Sequence, residues 1–388
     1  MQEIVEQAAN IYQTNPYQNS TLLNKLLHSP KIAFLDLDDT MTGDKKLTNT
    51  TRKQLEKLGY SLIFVSSRTE ELLMSSNSYK KSLRHGFTRP QPYSGSKDGK
   101  QYYIKTEKHT PTGLLDPDVI AGSTGTQIII KQQDGAYRED TGYTSSFGLS
   151  TIEWKQQCLR LLQIIDPQKK LFQLSPIDIP SNYYQRVTDV FPPYFRLGII
   201  CKNLTAKKTF LRRLRQLSFD PFLHIHMQRL IKNIRITDDS NPSQNNYNLY
   251  LTPRSGYKAR AVEYLVHAIC SQLKIEREQL EILIAGDSFP DLEMGLYAGI
   301  GTNATFLLVG GSRLSEVLLH TNQHKFAGEE LSAIKRLLKP KGKGRYTFHI
   351  PSLLKRTCIV GSEAFMGKKA VETIHSYLLQ QAEELLEI

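Results

Sequence analysis

Polar side chains suited to one reaction follow directly after short apolar runs of the sequence. Asp36 and Asp38 come after the run Ile32–Leu35, and Ser66 comes after the run Leu62–Val65. A carboxylate can serve as a nucleophile or as a general acid and base, and a hydroxyl can donate a hydrogen bond to an anionic oxygen. These residue types indicate chemistry on an anionic group such as a phosphoryl group.

A third apolar run and a lysine add the remaining groups. Asp287 and Asp291 come after the run Ile282–Ala285, and Lys258 opens a helical pattern. Attack on a phosphoryl group needs its negative charge neutralised by a metal and cations. Each residue alone also fits a turn, a helix cap or a surface position. Their order and their placement after strands favour one shared site.

The elements that must position these groups are predicted to form a parallel α/β sheet. The apolar runs alternate with helical patterns such as Leu47–Leu58 and Tyr257–Leu273, which is typical of parallel sheets. Further strands are predicted at Asp118–Ile130 and Thr305–Val309. Ligands of open α/β sheets bind beyond the carboxyl ends of the strands, where the polar groups are predicted to lie.

A change of pattern predicts a second, α+β domain inserted into this core. The predicted boundaries are 1–30 for a helical lead-in, 31–146 and 253–388 for the core with inserts near 78–116 and 312–356, and 147–252 for the inserted domain. Its predicted helices are Trp154–Ile165 and Thr205–Leu217, and its predicted strands are Tyr194–Cys201, Phe222–His226, Ile231–Ile236 and Tyr247–Leu251.

The four motifs together resemble the haloacid dehalogenase-type phosphatase superfamily. They read DLDDT at Asp36–Thr40, FVSSR at Phe64–Arg68, SGYKARAVEYL around Lys258 and IAGDSFPD at Ile284–Asp291. The insert between the second and third motifs is similar to the α+β cap of subclass IIB. DVIAGSTGTQI and YNLYLTPRSGYKARAVEYL resemble segments of its sucrose-phosphatase-like sugar phosphatases. The resemblance implies a Rossmann-like core with an inserted cap domain.

The resemblance also implies a role for each residue. Asp36 would attack phosphorus to give an aspartyl-phosphate, and Asp38 would protonate the leaving oxygen and then activate water. Ser66 would hydrogen-bond the phosphoryl oxygens, and Lys258 would supply a positive charge. A bound Mg²⁺ is expected. Its implied ligands are Asp36, the backbone carbonyl of Asp38 and Asp287, with Asp291 close by.

The implied substrate is a sugar phosphate or a similar small phosphorylated metabolite. Gly125–Thr126–Gln127 resembles a turn that approaches the substrate sugar in the sucrose-phosphatase-like branch, and Thr40 is expected to order the turn after the nucleophile. The predicted substrate-binding residues are Thr40, Ser67, Arg68, Gly125, Thr126 and Gln127.

The fourth motif departs from the family pattern. This branch usually reads GDSGND, whereas Phe289 and Pro290 stand here where Gly and Asn are expected. The missing amide would weaken Mg²⁺ binding or slow turnover. Two alternatives to a phosphatase stay open: a phosphomutase with the same nucleophile, and a weakly active or inactive protein that binds an anionic partner such as a phosphoinositide, nucleic acid or protein.

Composition predicts a soluble, cytoplasmic globular protein. The chain is 39% apolar and 23% charged, its first residues lack a secretory pattern, and no apolar run approaches the roughly 20 residues of a membrane helix. Its acidic end, AEELLEI, also fits a signal for delivery into another cell. The dispersed cysteines, Cys158, Cys201, Cys270 and Cys358, argue against disulfides and a zinc site.

A net charge of +12 favours anionic partners. Two basic segments offer such a surface or a merely solvated one: TAKKTFLRRLRQL in the inserted domain, and KPKGKGRY at Lys339–Tyr346, which interrupts the predicted mostly helical tail Ser312–Ile388. His224 and His226 are predicted to share one face of a strand. Without a third ligand they are interpreted as packing or surface residues rather than as a metal site.

Overall fold

The structure is a computed structural model in which two compact units are recognised. It describes residues 15–37, 40–41, 45–67, 117–175, 194–238, 247–298, 303–309, 338–342, 345–348, 358–360 and 374–379. The first unit, here the core unit, comprises Met1–Asn77, Lys105–Thr141 and Lys258–Ile388, and the second, here the inserted unit, comprises Ser78–Ile104 and Gly142–Tyr257.

Strands and helices are numbered in chain order. The strands are β1 (Lys31–Leu35), β2 (Tyr60–Val65), β3 (Val119–Gly122), β4 (Gln127–Lys131), β5 (Tyr137–Glu139), β6 (Phe172–Leu174), β7 (Leu197–Cys201), β8 (Ile234–Asp238), β9 (Asn248–Pro253), β10 (Glu281–Gly286), β11 (Asn303–Leu308), β12 (Leu338–Gly342), β13 (Arg345–Phe348) and β14 (Cys358–Val360). The helices are α1 (Thr21–His28), α2 (Lys45–Lys57), α3 (Thr141–Ser145), α4 (Thr151–Ile165), α5 (Leu204–Ser218), α6 (Ile225–Asn233), α7 (Lys258–Leu273) and α8 (Phe289–Ala298).

The core unit is built around a mostly parallel sheet, as predicted. Its strand order among the described residues is β12-β13-β14-β11-β10-β1-β2-β3-β4-β5. The six strands from β14 to β3 in this order pair in parallel, and the strands at both edges pair antiparallel. Strands β1 and β2 are almost wholly buried, which explains why they read as continuous apolar runs.

The predicted strand Asp118–Ile130 is two strands joined by a tight turn. Strands β3 and β4 pair antiparallel, and the turn between them contains Ser123, Thr124 and Gly125 with φ of 54°, 64° and 86°. These values lie in the left-handed region, which only glycine enters without strain. The Ser-Thr-Gly sequence is therefore a chain reversal within an apolar run.

The tail after residue 312 is not mostly helical where it is described. The basic segment around Lys339–Tyr346 contributes to the antiparallel pair β12 and β13, and β14 joins that pair to the parallel sheet. Glycines at 342 and 344 disfavour a helix, and the sequence Tyr-Thr-Phe of β13 favours a strand. Part of the predicted 312–356 insert thus belongs to the core sheet, and a short helix follows at 374–379.

Two helices of the core unit are anchored by buried contacts. Helix α7 buries the predicted stripe, which consists of Ala261, Val262, Leu265, Val266 and Ile269. Helix α1, in the lead-in, is held by Asp118, which accepts hydrogen bonds from Thr21 Oγ1 and Lys25 Nζ, 2.8 and 2.9 Å away. The same carboxylate accepts the Leu62 backbone N–H at 3.0 Å, so one buried group joins α1, β2 and the start of β3.

The inserted unit contains its own antiparallel sheet in the order β6-β7-β9-β8. The predicted strand Phe222–His226 is wrong, because His224 caps helix α6, and the predicted strand Ile231–Ile236 begins only at Ile234. Four apolar side chains at helical spacing pack against the core of this unit, which explains the helix. They are Met227, Leu230, Ile231 and Ile234.

The remaining predictions concern two histidines, the cysteines and membrane-spanning helices. His224 and His226 do not alternate along a strand; their rings stack with centroids 5.0 Å apart at the start of α6. Cys158, Cys201 and Cys270 are buried and unpaired. Within the described part of the chain, no helix combines the length and apolar character needed to cross a membrane.

Candidate active site

The site begins where β1 and β10 end side by side. These strands pair in parallel up to Leu35 and Ala285, and the Asp36 backbone N–H donates to the Ala285 carbonyl at 3.0 Å. Because parallel strands present their carboxyl ends at one edge, the residues that follow β1 and β10 are brought together. Asp36 and Asp287 are among them.

Lys258 connects two carboxylates at this edge. Its Nζ lies 2.7 Å from Asp36 Oδ1 and 2.8 Å from Asp291 Oδ1. The three residues are 7%, 4% and 0% exposed, respectively. Lys258 is the first residue of α7 and Asp291 lies in the first turn of α8, so residues from a strand end and two helix starts meet in one buried ion-pair cluster.

Asp291 is held through its second oxygen by the chain that leads into α8. Oδ2 accepts hydrogen bonds from the Ser288 N–H at 3.0 Å, the Ser288 hydroxyl at 2.5 Å and the Asp287 N–H at 3.3 Å. Ser288 was not singled out in the sequence, although its place inside GDSFPD is a usable signal. Asp291 is therefore a fixed carboxylate rather than a freely moving surface group.

Gly286 makes this arrangement possible. A Cβ atom at this position would lie 2.2 Å from Asp291 Cβ and 2.5 Å from its Cγ. Real Cβ atoms do not approach other atoms so closely, so a larger residue would displace the Asp291 carboxylate. The glycine of the fourth motif is required by close approach and not by a left-handed turn.

The altered residue Pro290 is compatible with this local fold. It lies in the first turn of α8, where a backbone N–H has no partner within the helix and proline is tolerated. Helix α8 therefore forms and delivers Asp291 without the asparagine that the resemblance led us to expect.

Three carboxylates could hold a cation. Asp36, Asp287 and Asp291 each offer an oxygen, and these atoms lie within 4.8 Å of one another. Lys258 Nζ contacts two of them, Asp36 and Asp291, and carboxylates brought together in a largely buried place are unfavourable unless their charge is neutralised. An oxygen-only donor set suits a hard divalent cation, which would contribute to that neutralisation.

Burial and charge shift the ionisation of this cluster in opposite directions. Burial, reinforced by the charges of Asp291 and Asp287, raises the pKa of Asp36 well above its ordinary value, and Lys258 acts against this rise. Burial alone would lower the pKa of Lys258, but the carboxylates of Asp291 and Asp36 hold it above its usual range. Lys258 thus stays charged, while Asp36 needs positive charge to remain ionised.

Thr40 and Ser66 lie at the same edge of the sheet. Thr40 is buried, and its Oγ1 is 3.4 Å from Asp36 Oδ2, a long contact. Ser66 is buried just after β2, where its N–H donates to the Ala121 carbonyl at 3.0 Å and its carbonyl accepts from the Thr124 N–H at 3.1 Å. The turn before Gly125 is thereby tied to the end of β2.

Of the other predicted site residues, three are described by the structure and two are not. Thr126 and Gln127 are buried beyond that turn, and Thr126 Oγ1 donates to the Ser123 carbonyl at 2.9 Å. Ser67 is half-buried after β2. Asp38 and Arg68 lie outside the described residues.

The chain is similar to several solved structures. No family model and no curated protein matches the chain. The sucrose-phosphatase of Synechocystis, solved with sucrose and phosphate, is 14% identical, covers 79% of this chain and 97% of its own, and has a TM-score of 0.44. A haloacid dehalogenase-like hydrolase from Bacteroides thetaiotaomicron is 16% identical, with 73% and 89% covered and a TM-score of 0.40.

A third similar structure is a phosphatase as well. The trehalose-6-phosphate phosphatase of Aspergillus fumigatus is 13% identical, covers 75% of this chain and 87% of its own, and has a TM-score of 0.40. These structures carry the names of the superfamily and branch that the motifs resemble. At such scores and identities the similarity alone establishes no activity, so function is inferred from the site.

Proposed function

We propose that this chain is a phosphomonoester hydrolase that works through an aspartyl-phosphate formed on Asp36. The observation that supports it most is the double ion pair of Lys258 with Asp36 and Asp291. It joins three residues that are far apart in sequence at the carboxyl edge of the sheet. A buried carboxylate beside a buried cation suits nucleophilic attack on an anionic phosphoryl group.

In the proposed reaction, Asp36 bonds to phosphorus and the ester oxygen leaves with a proton. Lys258 fixes the Asp36 carboxylate and offsets charge on the phosphoryl oxygens, and Ser66 is proposed to donate a hydrogen bond to one of them. Asp38 is proposed to give the leaving oxygen its proton and then to take one from the water that hydrolyses the acyl phosphate. The role of Asp38 rests on the DLDDT motif.

We further propose that Asp36, Asp287 and Asp291 hold Mg²⁺, together with the backbone carbonyl of Asp38. The carboxylate oxygens of Asp36, Asp287 and Asp291 lie within 4.8 Å of one another, and oxygen is the ligand atom that Mg²⁺ prefers. When bound, the cation supplies charge neutralisation at the phosphoryl group. Two residues support this site indirectly. Ser288 donates a hydrogen bond to Asp291, and Gly286 leaves space for the Asp291 side chain.

The proposed substrate is a small phosphorylated metabolite such as a sugar phosphate. This step rests on the motif resemblance and on the sucrose-phosphatase and trehalose-6-phosphate phosphatase among the similar structures. The inserted unit is proposed to act as the cap that selects the leaving group, with Thr40, Ser67, Arg68, Gly125, Thr126 and Gln127 as the proposed substrate-binding residues.

The decisive test is Asp36→Asn, because an amide cannot form the phosphoenzyme. We expect p-nitrophenyl phosphate hydrolysis with Mg²⁺ to fall to background while circular dichroism stays unchanged. Acid-quenched wild-type protein should carry a hydroxylamine-sensitive phosphoryl group that the variant lacks. The matched control is Asp134→Asn in the exposed turn between β4 and β5, where the side chain only accepts the Ala136 N–H; it should retain full activity. Turnover by the Asp36 variant would refute the proposed nucleophile.

The same assay separates the remaining alternatives. A phosphatase releases inorganic phosphate in proportion to substrate consumed, whereas a phosphomutase returns the phosphoryl group to a sugar phosphate. A panel of sugar phosphates, with phosphate release and product isomers both measured, tells them apart. A wild-type protein without activity on any ester, with and without Mg²⁺, would leave the inactive binding protein as the remaining interpretation.

A further inference from the structure

The inserted unit exposes three large apolar side chains at the connection between α5 and α6. Phe219 is 80% exposed, Phe222 94% and Ile225 52%, and they follow one another at intervals of three residues. We refer to these three residues as the apolar tip. Neighbouring large apolar side chains that are left in water mark interaction sites more often than single ones do.

The backbone around the apolar tip is held by specific hydrogen bonds. Asp220 Oδ1 accepts the Phe222 N–H at 2.9 Å, and the Asp220 carbonyl accepts Gln228 Nε2 at 3.0 Å. His224 caps the next helix through the His226 N–H. These hydrogen bonds hold the connection in a defined shape, in which both phenyl rings are exposed to solvent.

Basic residues lead along both helices toward the apolar tip. On α5 the exposed side chains Lys208, Arg212 and Arg215 are followed by Phe219 at intervals of four, three and four residues, and this spacing places them on one face. On α6, Ile225 is followed by Arg229 and Lys232 at intervals of four and three, again on one face. We refer to these basic residues as the two basic stripes: Lys208, Arg212 and Arg215 on α5, and Arg229 and Lys232 on α6.

The charge of this region is strongly one-sided. The sequence from Leu204 to Asn233 contains seven basic residues and one acidic residue, Asp220; of the basic residues, Lys207 forms an ion pair with Asp238, and it is not part of the two basic stripes. Such a surface attracts anions over about one Debye length, roughly 10 Å at 0.1 M salt. Its partner must be negatively charged and must also offer a place for apolar side chains.

A membrane with acidic headgroups meets both requirements, because its charged headgroups surround an apolar interior. Apolar side chains can enter the boundary between headgroups and acyl chains while lysine and arginine stay among the phosphates. Here the apolar residues stand at the end of two helices whose faces carry the basic residues. Ile225 has neither an aromatic face on which a base could stack nor a hydrogen-bonding group, which favours lipid over nucleic acid.

We propose that the apolar tip and the two basic stripes form a docking surface for a negatively charged membrane. The inserted unit would bind such a membrane peripherally, by partial insertion of Phe219, Phe222 and Ile225. This proposal does not rest on the phosphatase activity, because none of these residues belongs to the candidate active site.

Vesicle flotation of the full chain tests the proposal. Vesicles are made of phosphatidylcholine alone or of phosphatidylcholine mixed with phosphatidylserine. Wild-type protein is expected to float with the mixed vesicles, to bind the neutral ones much less and to lose binding as salt rises. The double variants Phe219→Ser with Phe222→Ser, and Arg212→Gln with Arg215→Gln, should each lower the vesicle partition coefficient about tenfold or more.

Matched controls lie on the core unit. Leu27→Ser removes an apolar side chain that is 70% exposed on α1, and Lys53→Gln with Lys57→Gln removes two exposed charges one helical turn apart on α2. These variants should bind like wild type, and melting curves should show that every variant is folded. Equal binding to both vesicle types, wild-type binding by either double variant of the inserted unit, or binding of polyuridine but not of vesicles would overturn the proposal.

Discussion

Two buried lysines, one in each unit, show two ways of stabilising an ammonium group away from water. In the core unit, Lys258 forms ion pairs with Asp36 and Asp291. In the inserted unit, Lys155 is fully buried on α4, and its Nζ lies 4.4 Å from the centroid of the Tyr194 ring. Carboxylates compensate the first charge, and the negative face of an aromatic ring contributes to compensating the second.

The difference shows which buried charge can serve a reaction. The partners of Lys258 are themselves titratable and are proposed to bind a cation and, for Asp36, to attack the substrate, so a change in the lysine should change the chemistry of its neighbours. An aromatic ring has no such second role. We therefore expect Lys258 to matter for turnover and Lys155 to matter for the packing of its own unit.

The largest effect is expected from Lys258→Met, which removes the ammonium group but keeps a long side chain. Breaking a buried ion pair costs about 3–5 kcal/mol, because the carboxylates are left without a counter-charge. Loss of the positive charge that is proposed to face the phosphoryl oxygens should lower kcat by a factor of about 10²–10³. Steady-state hydrolysis of p-nitrophenyl phosphate and urea unfolding measure the two effects.

The control for this variant is Lys53→Met on the exposed side of α2, which should change neither quantity. A Lys258 variant that keeps a wild-type kcat in a folded protein would show that the ion-pair cluster is structural.

Gly286→Ala should have the next largest effect, because its Cβ would collide with the Asp291 side chain. Displacement of a site carboxylate by about 1 Å can lower the rate about 10²-fold. Activity should be measured over a Mg²⁺ titration.

Gly295→Ala on α8 is the matched control, since its Cβ would meet Phe306 Cδ2 at 3.0 Å, away from the site. That control should alter the melting temperature at most, and similar activity losses in both variants would contradict this reading of Gly286.

Cation binding should release protons and strengthen as pH rises. Burial raises the pKa of Asp36 in the cation-free cluster, so below that pKa a cation must displace a proton, whereas above it the carboxylate is already ionised. The apparent affinity should increase by at most about tenfold per pH unit for one coupled proton and then level off. Calorimetric Mg²⁺ titrations in two buffers of different ionisation enthalpy measure the proton count. The Asp36→Asn variant should release fewer protons, and identical heats in both buffers would exclude the coupling.

The smallest effect is expected from Lys155→Met, which completes the comparison. Loss of the contact with the Tyr194 ring should cost about 1–2 kcal/mol of unfolding free energy, partly offset by the apolar replacement. kcat on p-nitrophenyl phosphate should change by less than about twofold, because a small ester makes little use of remote binding energy. An activity loss as large as that of Lys258→Met would show that this lysine also serves the reaction.

The sequence alone was sufficient to predict the parallel α/β core and the placement of Asp36, Ser66 and Asp287 after its strands. Buried parallel strands must be apolar throughout, and the residues after them must lie at one edge, so the pattern and the placement of Asp36, Ser66 and Asp287 follow from local order. The same logic predicted α7 from its apolar stripe. These are periodic or strand-end features, which a linear sequence records directly.

Only the tertiary structure decided the features that depend on neighbours distant in sequence. The bridge from Lys258 to both Asp36 and Asp291, the contact that makes Gly286 necessary, and the strands of the basic tail each need a partner that is far away along the chain. The start of α6 in place of a strand had the same cause. A short apolar segment such as FLHIHM satisfies both periods, and packing against the rest of the inserted unit selects the helix.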